Sequence, residues 1–376
     1  MFQKLKHIAT RNLLNIPGWH NDRQIVVIES DDWGSIRMPS KEVHNILLKN
    51  GIKVDQCPYN SFDSLESESD LTALYKVLTL VRDKNGRHPV ITANSVVANP
   101  NFEKIHNSGF QEYHFETILD SYKRYPNHSK SFHLIQEGLK NKIFHPQFHG
   151  REHLNVSRWM SALQLQLPET LLAFEHHLSG LSTNITTEKR KSYLAAMDYD
   201  SDEDCLEKQE ILKSGLRLFE SIYGYKSESF IAPNYIWGND LLPILKNNSV
   251  KYIQGVRLQS HPNLQANKNL YLRHKLGEIN HFDQLYLIRN CFFEPTLNPH
   301  IDSADSCLRE IQIAFSWKKP AVISAHRLNF IGGIEEKNRT KNLKSLYVLL
   351  SAIVKKWPNV EFITSDKLGK LISDTE

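Results

Sequence analysis

Along this chain, short β-branched runs alternate with longer stretches whose apolar residues recur at helical spacing. Gln24 to Ile28 is β-branched and stops in the polar segment Glu29 to Gly34, which predicts a strand with acidic residues at its end. A helix is predicted from Ser40 to Asn50, with Ser40 as its cap and Lys41 and Glu42 in the first turn. Another, from Ser69 to Asp83, lines up Leu71, Leu74, Val77, Leu78 and Val81 on one face. A strand from Pro89 to Ala93 follows, then helical character from Phe132 to Asn141. A short apolar step, Lys142 to Phe144, leads into His145 to His153. Val156 to Thr187 is helix-rich and apolar, with Trp159, Leu163, Leu171 and Phe174, and Ser201 to Glu210 is acidic. Residues 156–204 are therefore expected to form an insertion that covers or flanks a site.

Beyond the insertion the alternation resumes. Helices are predicted over Leu206 to Tyr223, Asn239 to Asn247, Ser303 to Ser316 and Leu343 to Lys356. Strands are predicted over Ser229 to Ala232, Tyr252 to Ile253, Gln284 to Ile288, Pro320 to Ser324 and Val360 to Thr364. Strands alternating with helices throughout predict a parallel α/β fold. With no internal repeat, low-complexity tract or linker, a single domain over residues 1–376 is the expected organisation.

Composition narrows the class. The 376 residues suffice to bury a large core without staples. A hydrophobic share of 40% beside 23% charged residues, with no apolar run of the roughly 18 residues that a membrane span needs, predicts a soluble globular protein without a transmembrane segment. The first residues include Lys4, Lys6 and His7 but build no apolar signal core, so the expected location is cytoplasmic. Cys57, Cys205, Cys291 and Cys307 are scattered, which argues against a disulfide framework or a cysteine-based zinc site. A net charge of +4 with evenly spread Lys and Arg does not point to nucleic acid. The 18 histidines change the picture more, because several stand beside acidic residues where strands are expected to end.

Three polar clusters fall at such ends: Asp31 with Asp32, His149 with His153, and His326 after Ala321 to Ala325. In parallel α/β barrels working residues gather at the carboxyl ends of the strands. Two imidazoles at i and i+4 share one helical face, and with one carboxylate they make a three-ligand metal set that leaves positions for water and substrate. Taken singly, each cluster has a plainer reading: a chance histidine spacing, a helix cap beside a solvated aspartate, a polar strand end.

The order of the clusters resembles the polysaccharide deacetylase (NodB-like) superfamily. Val27 to Gly34 resembles its first motif, a strand running into Asp-Asp, and this implies that Asp31 is the catalytic base and Asp32 a metal ligand. Phe148 to His153 resembles the second motif, His-(Ser/Thr)-x-x-His, implying His149 and His153 as ligands. Phe230 to Tyr235 resembles the third motif, and Val322 to His326 the fifth, whose histidine is the general acid. The resemblance covers residues 22–155 and 206–370. It implies a distorted (β/α)7 barrel, a divalent metal with zinc the expected ion, and a carbohydrate or glycoconjugate substrate from which an N-acetyl group is removed. Trp33, Tyr235 and Trp237 are candidates for stacking on a sugar.

The departures from the family pattern are specific. Ile231 and Ala232 stand where the third motif carries an arginine that orients the base, and Arg289 and Arg327 are the candidate replacements. Gly150 replaces the hydroxyl residue of the second motif, and Trp33 intrudes before Gly34. Glu294 and Asp302 are candidate partners for His326. Two other readings remain: a same-fold hydrolase of a non-sugar amide or glycosidic bond, and a catalytically silent carbohydrate-binding relative.

Overall fold

All nine residues of the strand Ile25–Trp33 (β1) are buried, as expected of a parallel strand covered on both faces. Its period of two divides the burial. Val26 and Ile28 belong to an apolar cluster that also holds Leu71, Leu74, Leu346 and Leu350 of the flanking helices Glu68–Leu78 and Glu336–Lys356. Ile25, Val27, Glu29 and Asp31 form the other row, apolar at one end and acidic at the other. A computed structural model describes residues 2–265 and 268–375, with side chains from residue 9 onward.

The further sheet strands are Ile91–Val96 (β2), Phe144–Gly150 (β3), Ser229–Ile231 (β4), Tyr252–Gly255 (β5), Leu285–Ile288 (β6), Cys291–Phe292 (β7), Ala321–His326 (β8) and Glu361–Phe362 (β9). They pair in the order β6-β5-β4-β3-β2-β1-β8-β7, all parallel, with β9 beside the start of β1. The two ends of this order are consecutive in the chain. Arg289 N donates to Gly255 O (2.9 Å) and Asn290 N to Val322 O (3.1 Å), so a single bent segment from β6 to β7 joins β5 to β8. Counted as one strand, it closes a ring of seven, the distorted (β/α)7 barrel expected from the sequence.

The predicted elements recur with shifted ends. Ser40 caps helix Lys41–Lys49, accepting from Val43 N, and helix Ser303–Ser316 matches its expected span. The acidic residues after Ser201, counted as far as residue 204 with the expected insertion, belong to the helix that follows. Asp202, Glu203 and Asp204 are the first turn of helix Asp202–Tyr223, where carboxylates face the positive end of the helix dipole. Helix Glu336–Lys356 begins seven residues before Leu343, because its polar first turns carry no apolar periodicity. The antiparallel pair Leu258–His261 and Leu270–Arg273 was not predicted. Within the expected insertion, Trp159, Leu163 and Phe174 are buried, and Phe102 packs edge-on against Trp159 at 5.8 Å and tilted against Phe174 at 5.3 Å. All four cysteines are buried and free. Among the described residues no helix is long and apolar enough to cross a membrane.

Candidate metal centre

Neighbouring residues in a strand point to opposite faces, yet Asp31 and Asp32 both reach the mouth of the barrel. A bulge resolves the conflict. Ser30 pairs with Ala93 and Trp33 with Ser95, so Asp31 and Asp32 together oppose Asn94, and Asp32 takes a φ of 77°. The next strand pair repeats the device: Ser95 pairs with Phe148 and Val96 with Gly150, leaving His149 as the extra residue. The sequence reading placed His149 and His153 on one helical face. Instead His149 is the penultimate residue of β3 and His153 lies in the loop behind it, and Gly150, at φ 135°, makes the turn between them. A Cβ there would sit 3.0 Å from Glu152 O, which accounts for glycine in place of a hydroxyl residue.

These bends bring one ligand atom from each of Asp32, His149 and His153 within 4.8 Å of one another. Asp32 Oδ1 is 3.4 Å from His149 Nε2 and 3.2 Å from His153 Nε2. His149 Nδ1 lies 2.9 Å from Ile231 O and donates to it, which leaves Nε2 as a bare lone pair, buried and without a hydrogen-bond partner. Burial outweighs the nearby Asp32 and pushes the His153 imidazole down to about 3, so it is neutral. One carboxylate and two imidazoles, with His149 Nε2 and His153 Nδ1 both buried and unpartnered, fit a divalent cation.

Asp31 is held from several sides. Arg289 Nη1 donates to Oδ2 and Nη2 to Oδ1, each at 2.6 Å, and Asn94 Nδ2 donates to Oδ1 at 2.7 Å. Arg289 also donates through Nε to Glu29 Oε2 (2.6 Å) and through Nη1 to Tyr235 Oη (3.0 Å) and Ser324 Oγ (3.1 Å). Burial would raise Asp31, but the Arg289 guanidinium overcomes it and holds the carboxyl well below the usual range. At Glu29 burial wins and the carboxyl is pushed up. Arg289 thus stands against Asp31 from the seam of the barrel, whereas the third-motif positions Ile231 and Ala232 are buried and apolar.

On the other side of β1, Asp31 and His326 are register partners, with His326 Nε2 3.8 Å from Asp31 Oδ2. His326 Nδ1 is 2.6 Å from Glu294 Oε1, and Asn329 Nδ2 donates to the other Glu294 oxygen at 2.7 Å. Burial would lower His326, but Glu294, with Asp31 and Asp32 behind it, raises it to about 9, so the ring is protonated at neutral pH. Of the two candidate partners the structure pairs Glu294 with His326. Asp302 instead caps helix Ser303–Ser316, accepting from Asp305 N.

The remaining expected residues are placed as follows. Arg327 is fully buried and faces carboxylates, Asp63 through Nε and Nη2 (3.1 Å each) and Glu66 through Nη1 (2.7 Å). Glu66 in turn accepts from Gly34 N at 3.0 Å, so Arg327 ties the residue after His326 to the turn after Asp32. Trp33 is 1% exposed, edge-on to Phe144 at 4.8 Å, and Trp237 is also 1% exposed, so neither offers a free ring face to a sugar. Tyr235, at φ 56°, turns its hydroxyl onto Arg289. Sequence reasoning missed Glu29, Asn94, Arg37 and Tyr59. Glu29 carried a signal, standing two residues before Asp31 on the same strand face.

No family model matches the sequence, and no curated protein is similar to it. Solved structures do resemble the fold. A candidate glycoside hydrolase/deacetylase from Parabacteroides distasonis matches over 96% of this chain and 73% of its own, at 8% identity and a TM-score of 0.51. A candidate polysaccharide deacetylase from Mycobacterium smegmatis matches over 96% and 93%, at 11% identity and a TM-score of 0.45. PuuE allantoinase matches over 94% and 93%, at 9% identity and a TM-score of 0.46. At these identities the likeness speaks for architecture alone, and with the closed ring of seven strands it gives the conclusion that this chain has the NodB-like deacetylase fold.

Proposed function

We propose that the protein is a metal-dependent hydrolase that removes N-acetyl groups from a sugar of a surface polysaccharide or glycoconjugate precursor. The observation that carries the reading is the convergence of Asp32, His149 and His153 beside an ionised Asp31 and a protonated His326. Asp32, His149 and His153 would hold the cation, with zinc the ion that best suits one oxygen and two nitrogen donors. Once bound, such a cation lowers the pKa of water and polarises a carbonyl oxygen.

The rest of the chemistry belongs to the chain. Arg289 keeps Asp31 ionised and, with Asn94, fixes its orientation, while its Oδ2 retains a lone pair on the side of His326. Asp31 takes the proton of the attacking water as that water bonds to the amide carbon. His326 hands its Nε2 proton to the departing nitrogen, so water and the N-acetyl amide become acetate and an amine. Glu294, fixed by Asn329, holds the imidazole with Nε2 towards Asp31.

The test is acetate release from a panel of N-acetylated sugars by the purified protein, before and after chelation, with zinc added back. Release that chelation stops and zinc restores supports the reading. Release indifferent to chelation, or hydrolysis confined to non-sugar amides or glycosidic bonds, overturns it.

A further inference from the structure

Arg37 lies five residues beyond Asp32, and the mechanism above does not use it. Its side chain is 5% exposed, yet Nε and Nη1 are buried with no hydrogen-bond partner. Among the described residues its one ion pair is a loose one, Nε to Asp63 Oδ2 at 3.9 Å, and Asp63 already accepts two hydrogen bonds from Arg327. A guanidinium removed from water and left with unmet donors is costly, and buried cations are ordinarily matched. Every other buried arginine described above is matched: Arg289 by Asp31 and Glu29, Arg327 by Asp63 and Glu66.

The surroundings say where the missing partner belongs. The guanidinium carbon lies 5.1 Å from the centre of the Tyr59 ring, and that ring stands edge-on to His326 at 5.4 Å. Its charge is felt at Asp32 and His153, where it favours the ionised carboxylate and the neutral imidazole. Gly180 lies beside it, where a Cβ would come within 3.5 Å of Nη1. Arg37 therefore stands one aromatic ring from His326 and within electrostatic reach of Asp32 and His153, with two donors unmet.

We propose that Arg37 is a specificity residue that receives an anionic group of the substrate, a carboxylate or a phosphate carried by the N-acetylated sugar. This rests on the deacetylase reading for the identity of the sugar, though the anion site itself does not depend on it. The forked guanidinium suits either anion, since both present two oxygens to parallel N–H donors. A neutral N-acetylated sugar would leave the donors unmet, so charge on the substrate would decide turnover.

The experiment compares the as-purified enzyme with Arg37→Met and Arg37→Lys on three substrates: N-acetylmuramic acid, N-acetylglucosamine 1-phosphate and neutral tri-N-acetylchitotriose. In parallel, the binding of inorganic phosphate is measured by calorimetry and the melting temperature of each variant is recorded. Arg37→Met is expected to lower kcat/KM on the favoured anionic sugar, relative to the neutral one, by roughly 10- to 100-fold, the range for a hydrogen bond to a charged group. Arg37→Lys should recover part of that loss. Whichever anionic sugar loses most identifies the anion. The melting temperature of Arg37→Met should hold or rise, since the substitution removes an unmatched buried charge. An unchanged ratio, or a fall in melting temperature with selectivity intact, overturns the proposal and makes Arg37 structural. If no sugar releases acetate, the deacetylase reading fails while calorimetry still decides the anion site: weaker phosphate binding by Arg37→Met supports it, and equal binding overturns it.

Discussion

Asp31 and His326 face each other across neighbouring parallel strands as register partners, 3.8 Å apart from Oδ2 to Nε2, one held ionised by Arg289 and the other held protonated by Glu294. Backbone pairing fixes their separation, and a different second partner sets the protonation state of each. A base and an acid poised in this way are what amide hydrolysis asks of two side chains.

The proposed metal ligands can be tested without substrate. The purified protein is expected to carry about one divalent ion per chain, and His149→Ala or His153→Ala should each strip it, since two remaining donors hold zinc poorly. Elemental analysis reads the ratio. Unchanged metal content in both variants would remove Asp32, His149 and His153 as the ligand set.

Asp31→Asn should abolish turnover while the ion stays bound, because Asp31 faces Arg289 and Asn94 and is not in the ligand cluster. Metal lost together with activity would mean that the two aspartates exchange roles. Arg289→Met is expected to be harsher, destabilising the fold by about 3–5 kcal/mol because it leaves Asp31 and Glu29 buried without their cation. Urea denaturation measures the loss.

The His326 imidazole titrates at about 9, above its ordinary 6.5, so its protonated form favours the folded state. The contribution to stability is complete below 6.5 and is lost as pH rises through about 9. Glu294→Gln removes the main raising influence and should bring the titration down. NMR titration of the ring in metal-free protein checks both. A ring that titrates near 6.5 in the unsubstituted protein would deny it the role of a proton donor held charged at neutral pH.

Arg327→Met should cost stability, by about 3–5 kcal/mol, since Asp63 and Glu66 would be left buried and unmatched. The opposite effect is expected of Arg37→Met. The contrast between two buried arginines is read from thermal melts, and a similar loss in both would mean that Arg37 too is part of the scaffold.

Much of the architecture was legible because periodicity and strand-end chemistry are local. Ser40 as a cap, the helix from Ser303 and the strands around Val27 and Ile323 follow from neighbours in sequence. The ligand residue types were legible too, but not their geometry. The spacing of His149 and His153 reads as one turn of helix, whereas the chain makes a strand end and a glycine turn, which hydrophobic periodicity cannot distinguish. Bulges leave no trace in composition, so the backbone irregularity that turns both Asp31 and Asp32 to the site was not visible. Arg37 looked like any loop arginine, because its burial depends on Tyr59 and Gly180, far away in the chain.

The seam between β6 and β7 has a consequence for how the protein comes into being. Glu29 and Asp31 are made early, and the guanidinium that neutralises them arrives about 260 residues later on the segment that shuts the ring. Until then the two carboxylates lie on an otherwise apolar strand without their cation, Asn94 being the earlier-made partner of Asp31. The ring closes on β1 only through β8, residues 321–326, so a chain stalled short of Arg289 on the ribosome should be protease-sensitive around β1 and should gain full protection there only once Arg289 and β8 have both emerged.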